Sequence, residues 1–151
     1  MKKVFLKKDE IDQDRHLVWN SFINFISTSS FEELDNVQRV AHLCFWYDSE
    51  VQNGGHLQYF ENQGTQKIKE TLDSLSQLKA FHQQKLLNSA YKQYNSKIRA
   101  TIRTVQQFVN AALEGEYEKL DNKYFEYTPT VIDLLDVYLK ENLDRFIKVV
   151  E

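Results

Sequence analysis

The groups best suited to chemistry surround the only pair of adjacent glycines in the chain, Gly54 and Gly55. They are Glu50, Asn53, Gln58, Tyr59, Phe60 and Asn62. A carboxylate at such a site can transfer protons if its pKa is raised, and amides and rings can hold a bound ligand. Because glycine tolerates positive φ, the chain is predicted to turn sharply here between two helices.

Two interpretations of this Asn-Gly-Gly corner stay open. In the structural one, the glycines make the turn, Asn53 caps the preceding helix, and Gln58 satisfies backbone groups left open at the helix ends. In the functional one, the same groups line a recognition cleft between helices. The two are compatible, since a strained corner can also present a site.

Other catalytic arrangements find little support. The four histidines, none with another at i+3 or i+4, are His16, His42, His56 and His82. No metal site and no cofactor is therefore predicted. His56 follows the glycines and is expected to be solvated or locally hydrogen-bonded rather than catalytic. Cys44, within an apolar run, is expected to be a buried thiol. The chain is predicted not to be an enzyme.

Composition favours one helical domain spanning residues 1–151, with residues 1–8 able to form a loose N-terminal tail. One proline and four glycines leave few helix breakers, and 42% hydrophobic residues can form a sizeable core. No apolar run is long enough for a membrane span or a signal peptide, so a cytoplasmic protein without membrane contact is expected.

Hydrophobic periodicity predicts an all-α fold of about seven helical segments. They cover residues 9–27, 31–52, 55–62, 65–78, 80–94, 97–114 and 129–149, with a connection over 115–127. Ser30–Glu33 has the pattern of a capping box, and Thr128–Pro129 the pattern of a helix start. The second segment is apolar nearly all round and is predicted to be central.

Charge is unevenly distributed, although the net charge is only −3. Residues 1–64 carry 10 acids and 6 bases, residues 65–113 carry 2 and 8, and residues 114–151 carry 10 and 5. This pattern is compatible with solvated helix faces that simply differ in sign. It is also compatible with separate acidic and basic faces that select a partner. The basic middle segment is interpreted as a solvated helix face, so no direct contact with nucleic acid is expected.

The run Glu50–Asn62 resembles the E-x-x-N-G-G-[FH]-x-Q-[YF]-[FY]-x-N signature of the DMP19-like family, a domain also called DUF4375. Leu120–Phe125 and Leu134–Phe146 resemble two further segments of that family, so the resemblance spans roughly residues 15–148. It implies an all-helical domain. The best-known type in the family is an acidic protein that mimics DNA and occupies a transcription factor.

The resemblance implies a non-enzymatic domain that binds a protein partner, such as a DNA-binding or other basic protein, through an acidic surface. The carboxylates that could form this surface are Glu114, Glu116, Glu118, Asp121, Glu126, Asp133, Asp136, Glu141 and Asp144. One alternative is an immunity or antitoxin-like inhibitor of a basic effector, which would use the same surface. Another is a small-ligand binder or enzyme at the Asn53–Asn62 corner. Homo-oligomerisation is left open.

Overall fold

The structure is a computed structural model that describes residues 2–151. This part of the chain contains nine α-helices, a 3-10 turn at Phe31–Glu33 and two short strands. The helices are α1 (Lys8–Gln13), α2 (Leu17–Thr28), α3 (Asn36–Gln63), α4 (Ile68–Gln77), α5 (Phe81–Tyr94), α6 (Val105–Leu113), α7 (Glu118–Glu126), α8 (Val131–Glu141) and α9 (Leu143–Phe146). The strands are β1 (Val4–Lys7) and β2 (Ile147–Val150). The predicted all-α class is confirmed.

Helix α3 lies at the centre, as its apolar surface predicts, and packs against α2, α4, α7, α8 and α9. The largest fully buried side chains of the core include Phe22, Tyr47, Phe60, Leu75, Leu87, Leu135 and Phe146. Within the described residues, no helix combines the length and apolar character needed to cross a lipid bilayer.

Helix α3 begins later than its sequence pattern indicates. Ser30 makes no side-chain cap, and the residues that follow it form only a 3-10 turn. The capping box is instead formed by Asp35 and Gln38, whose side chains each accept a hydrogen bond from the other's backbone N–H. The Gln38 amide also donates to the carbonyls of Lys2 and Arg145, which joins both ends of the chain to α3.

Two terminal segments differ from expectation. Within the described part of the N-terminal segment, residues 4–7 form β1, which pairs in parallel with β2 from Val4 opposite Ile147 to Lys7 opposite Val150. They are therefore not a loose tail. The expected last helix over 129–149 divides into α8, α9 and β2, and it starts with a Thr130 capping box rather than at Thr128. Hydrophobic spacing cannot detect a two-stranded contact between chain ends so far apart in sequence.

The region of the expected helix 97–114 also differs. Only α6 is helical, and it begins with a capping box between Thr104 and Gln107. None of its residues is buried, and Val105 and Leu113 are 82% and 80% exposed. The connection predicted over 115–127 contains α7, which packs on α3 and α5.

The Asn-Gly-Gly corner is a kink inside α3. Gly55 has φ 74° and ψ −174°, a combination essentially restricted to glycine, whereas Gly54 has φ −155°. A Cβ atom on Gly55 would overlap with the carboxylate of Asp121, and one on Gly54 would lie 2.9 Å from Cβ of Gln58. The corner therefore needs glycine for backbone freedom at position 55 and for space at both positions.

Replacing Gly55 with alanine is expected to lower the free energy of unfolding by about 3 kcal/mol, because it adds backbone strain and displaces Asp121. Gly115 is a matched control: its φ is also positive, at 66°, but a Cβ there would meet only the side chain of Glu118, at 3.3 Å. Gly115→Ala should cost about 1 kcal/mol. Urea unfolding measures the free energy of unfolding of both variants. Equal losses in Gly55→Ala and Gly115→Ala would show that Asp121 does not constrain the corner.

Candidate functional site

The kink brings the two halves of α3 into side-chain contact. Nε2 of Gln58 donates to Oε1 of Glu50 at 3.3 Å, and the Gln58 side chain lies across Gly54. Gln58 therefore joins the two halves through a carboxylate, not by satisfying open backbone groups as the structural interpretation expected. Glu50 is only 8% exposed, and its Oε2 has no hydrogen-bond partner among the described residues.

The remaining signature residues separate into two groups. Tyr59 and Phe60 are buried in the core, where the Tyr59 ring lies edge-on to Tyr47 with centroids 4.9 Å apart. Asn53 and Asn62 are exposed. Asn53 lines a cleft beside the kink and does not pack in the core. The structure thus shows both a packed corner and a cleft beside it.

His56 is fully buried and tied to α7, not solvated or locally bonded as the sequence suggested. Its backbone N–H donates to Oδ1 of Asp121 at 2.9 Å, and its ring Nδ1 lies 2.7 Å from the same oxygen. Its Nε2 lies 2.7 Å from the hydroxyl of Tyr47. Burial raises the pKa of Tyr47 well above its usual value, which keeps the hydroxyl protonated. In the neutral tautomer that carries its proton on Nδ1, His56 donates to Asp121 and accepts from the hydroxyl of Tyr47.

A second contact joins the same helices. The hydroxyl of Tyr124 donates to Oδ1 of Asp48 at 2.6 Å, and both residues are buried. Burial raises the pKa of Asp48. Because Asp121 and Tyr124 are three residues apart on α7, they lie on the same face of that helix. Together with His56 and Asp48 they form what we call the α3–α7 clamp.

Sequence reasoning missed most of this clamp. It placed Asp121 in an acidic surface, expected Tyr124 only to help pack the connection 115–127 on the core, and assigned no contact to Asp48. The available signal was a histidine directly after the glycines, together with an aspartate and a tyrosine three residues apart. A one-dimensional pattern does not show that residues 56 and 121 meet.

The clamp limits what His56 can do chemically. A general base must reach a proton of its substrate directly or through one water molecule. Both ring nitrogens of His56 are already hydrogen-bonded, and the side chain is 0% exposed. In this conformation His56 therefore stabilises the corner and does not contact a ligand.

The cleft lies between the kink, α7 and the segment preceding α7. Its volume is about 480 Å³, within the range of small-ligand sites. The segment 100–115, which we call the flap, contains α6 and supplies one wall through Ala111, Ala112 and Leu113. Arg99 and Glu116 flank the flap and form an ion pair, with Nη1 2.8 Å from Oε1. Arg99 also stacks on Tyr94, 4.5 Å from the ring centroid.

The nine acids of the candidate surface have different environments. Glu116 is paired with Arg99, which lowers its pKa, and also lies 3.6 Å from Lys97. Asp121 belongs to the clamp, and Asp136 pairs with Lys140 on the surface. The others are exposed and make no ion pair with any described residue: Glu114, Glu118, Glu126, Asp133, Glu141 and Asp144.

Replacing Asp121 with alanine leaves two buried donors of His56 without an acceptor, so the free energy of unfolding should fall by about 2–4 kcal/mol. The neighbouring Asn122 is exposed and lines the cleft. Asn122→Ala is the matched control and should change stability by less than about 0.5 kcal/mol. Thermal and urea unfolding measure both variants, and equally stable Asp121→Ala and Asn122→Ala proteins would contradict the clamp.

The buried Asp48 predicts a pH dependence of stability. Because its pKa is raised on folding, its contribution is favourable below the unfolded-state pKa and is lost as the pH rises through the folded-state value. Asp48→Asn keeps an acceptor for Tyr124 and cannot ionise. The variant should therefore gain stability relative to the wild type from about pH 4 upward. Urea unfolding of both proteins across this pH range tests the prediction. Parallel profiles of the free energy of unfolding against pH would refute it.

No curated protein and no solved structure matches this chain. A family model described as DMP19-like protein matches residues 32–142. The matched range contains α3 with its kink, the flap, α7 and the whole of α8, and therefore includes every residue of the clamp. Because the match covers most of the chain, the chain belongs to the DMP19-like family.

Proposed function

We propose that this DMP19-like domain is a non-enzymatic protein-binding module that engages a basic partner through the carboxylates of α7–α9. The observation that supports this most is a set of exposed acids on these helices that make no ion pair with any described residue: Glu118, Glu126, Asp133, Glu141 and Asp144. Residues 114–151 carry 10 acids and 5 bases, so this part of the surface attracts cations.

Apolar side chains accompany these acids on the same helices. Phe125, Val137 and Leu143 are 52%, 49% and 41% exposed. Protein interfaces combine such aromatic and aliphatic contacts with a polar rim, whereas a purely solvated surface does not need them. The mixture favours a protein partner over a purely ionic surface.

The family suggests the kind of partner. A DNA-binding protein presents lysines and arginines to phosphates, and carboxylates on adjacent helices can occupy those side chains instead. We therefore propose a DNA-binding or similarly basic protein as the partner, in the cytoplasm, a compartment that the single buried thiol of Cys44 suits.

Charge reversal tests the electrostatic mechanism. The combined variant Asp136→Lys, Glu141→Lys and Asp144→Lys is expected to slow association with the partner by about tenfold or more, because steering by the acidic surface is lost. Asp133 is left unchanged because it belongs to the capping box of α8. The partner is first captured on the immobilised domain and identified, and association is then measured by surface plasmon resonance at two salt concentrations.

The matched control is Asp9→Lys, Glu10→Lys and Asp12→Lys, which makes the same change in net charge on exposed residues of α1. The control should retain more than half of the wild-type association rate. Wild-type binding should also weaken as ionic strength rises from about 0.05 to 0.3 M. A partner that responds equally to both triple variants, or that ignores salt, would show that this acidic surface is not the binding site.

A further inference from the structure

Helix α6 carries an apolar stripe that the described part of the chain leaves largely uncovered. Val105, Val109 and Leu113 follow one another at intervals of four residues, so they lie along one side of the helix. Their side chains are 82%, 41% and 80% exposed, and the exposed Ala112 extends the same side. We call these four residues the α6 stripe. Apolar side chains that form a continuous exposed patch mark a surface that contacts another molecule.

The helix that carries the stripe has no charged residue. Its sequence is VQQFVNAAL, although 27% of the whole chain is charged. The polar side chains of α6 bond within the flap: Nε2 of Gln106 donates to Oδ1 of Asn110 at 2.9 Å, and Gln107 belongs to the capping box with Thr104. The stripe therefore offers no counter-charge to a strongly basic or acidic partner, in contrast to the acidic surface of α7–α9.

The two charges that flank α6 are reversed with respect to its dipole. Arg103 precedes the N-cap Thr104, where a helix presents positive partial charge, and Glu114 follows Leu113, where the partial charge is negative. Both side chains are exposed, and neither forms an ion pair with any described residue. Each charge is unfavourable for its own helix and becomes favourable beside the opposite end of an antiparallel neighbour.

We infer that the α6 stripe is the contact surface for a second copy of this chain, with the two α6 helices packed antiparallel about a twofold axis near Val109. Val105 of each copy then meets Leu113 of the other. The same register places Arg103 of each copy beside Glu114 of the other. A twofold contact uses one patch twice and must be self-complementary, and an uncharged stripe with one charge of each sign at its ends meets that condition.

The fold presents α6 in a way that permits this contact. None of its residues is buried, and the ion pair of Arg99 with Glu116 holds the base of the flap against the body of the domain. A nine-residue helix is only about 13 Å long. The shared area is therefore smaller than the roughly 1,600 Å² of a standard interface, and the dimer should be reversible, with a dissociation constant in the high micromolar range.

Sedimentation equilibrium of the full chain between about 10 and 500 µM tests the inference, because dimer formation depends on protein concentration. The average mass should rise from one chain toward two. The double variant Val105→Gln, Leu113→Gln should raise the dissociation constant about tenfold or more, since it removes most of the apolar contact. Val137→Gln with Val149→Gln, which alters exposed apolar residues of α8 and β2, is the matched control and should leave the dissociation constant unchanged.

Charge reversal tests the antiparallel orientation. Arg103→Glu and Glu114→Arg, made separately, each put like charges together at both ends of the contact and should each weaken the dimer about fivefold. An equimolar mixture of these two variants restores opposite charges at both ends, so it should associate more strongly than either variant alone. In a parallel pair Arg103 would already face its own counterpart, and neither single reversal would weaken association.

Several results would overturn the inference. One is a chain that stays monomeric throughout the concentration range, and another is a dimer that the stripe variant weakens no more than the control does. A lower melting temperature of Val105→Gln, Leu113→Gln in dilute solution would show that the stripe packs within its own chain. Loss of the captured protein partner by this variant, without any self-association, would assign the stripe to that partner instead. The acidic-surface function is tested separately, because the α8–α9 reversals leave α6 unchanged.

Discussion

Asp121 occupies the space that a side chain at position 55 would need, and the corner depends on that contact. The carboxylate can approach the kink because Gly55 has no Cβ, and it then accepts from both the backbone N–H and the ring of His56. These bonds satisfy donors at the start of the second half of α3, where a helix normally needs a cap. The cap comes from a residue 65 positions away in sequence, so it is complete only while α7 is docked on α3.

The docking of α7 in turn determines where the flap begins and ends. Tyr124 fixes the middle of α7 on Asp48, and Tyr117, just before the helix, is buried against Phe60. Glu116 is thereby placed beside Arg99, and their ion pair holds together the two ends of segment 100–115. Between those ends α6 has no buried residue, so its position depends on its two attachments more than on packing.

The sequence predicts the parts of this arrangement that are local. Apolar spacing identifies the central helix, and the glycine pair predicts the corner, because both follow from neighbouring residues. The clamp and the β1–β2 pair are contacts between distant segments, and no local pattern marks them. Segment 97–104 shows a third cause. Its apolar residues have helical spacing, yet Ile98 is fully exposed, and the Arg99 side chain donates to the carbonyls of Gln93 and Tyr94 at the end of α5. Helical spacing there does not mark a buried face.

The same limitation explains why the sequence did not show which acids of the candidate surface are paired, which are unpaired and which support the fold. Glu116, Glu118 and Asp121 are all acidic in the sequence, but Glu116 pairs with Arg99, Glu118 makes no ion pair with any described residue, and Asp121 supports the corner. Asp121 joins the two interpretations of the corner, since one of its oxygens stabilises the kink while the residue also lines the cleft. Any change at Asp121 therefore alters the corner and the wall of the cleft together, because one side chain belongs to both.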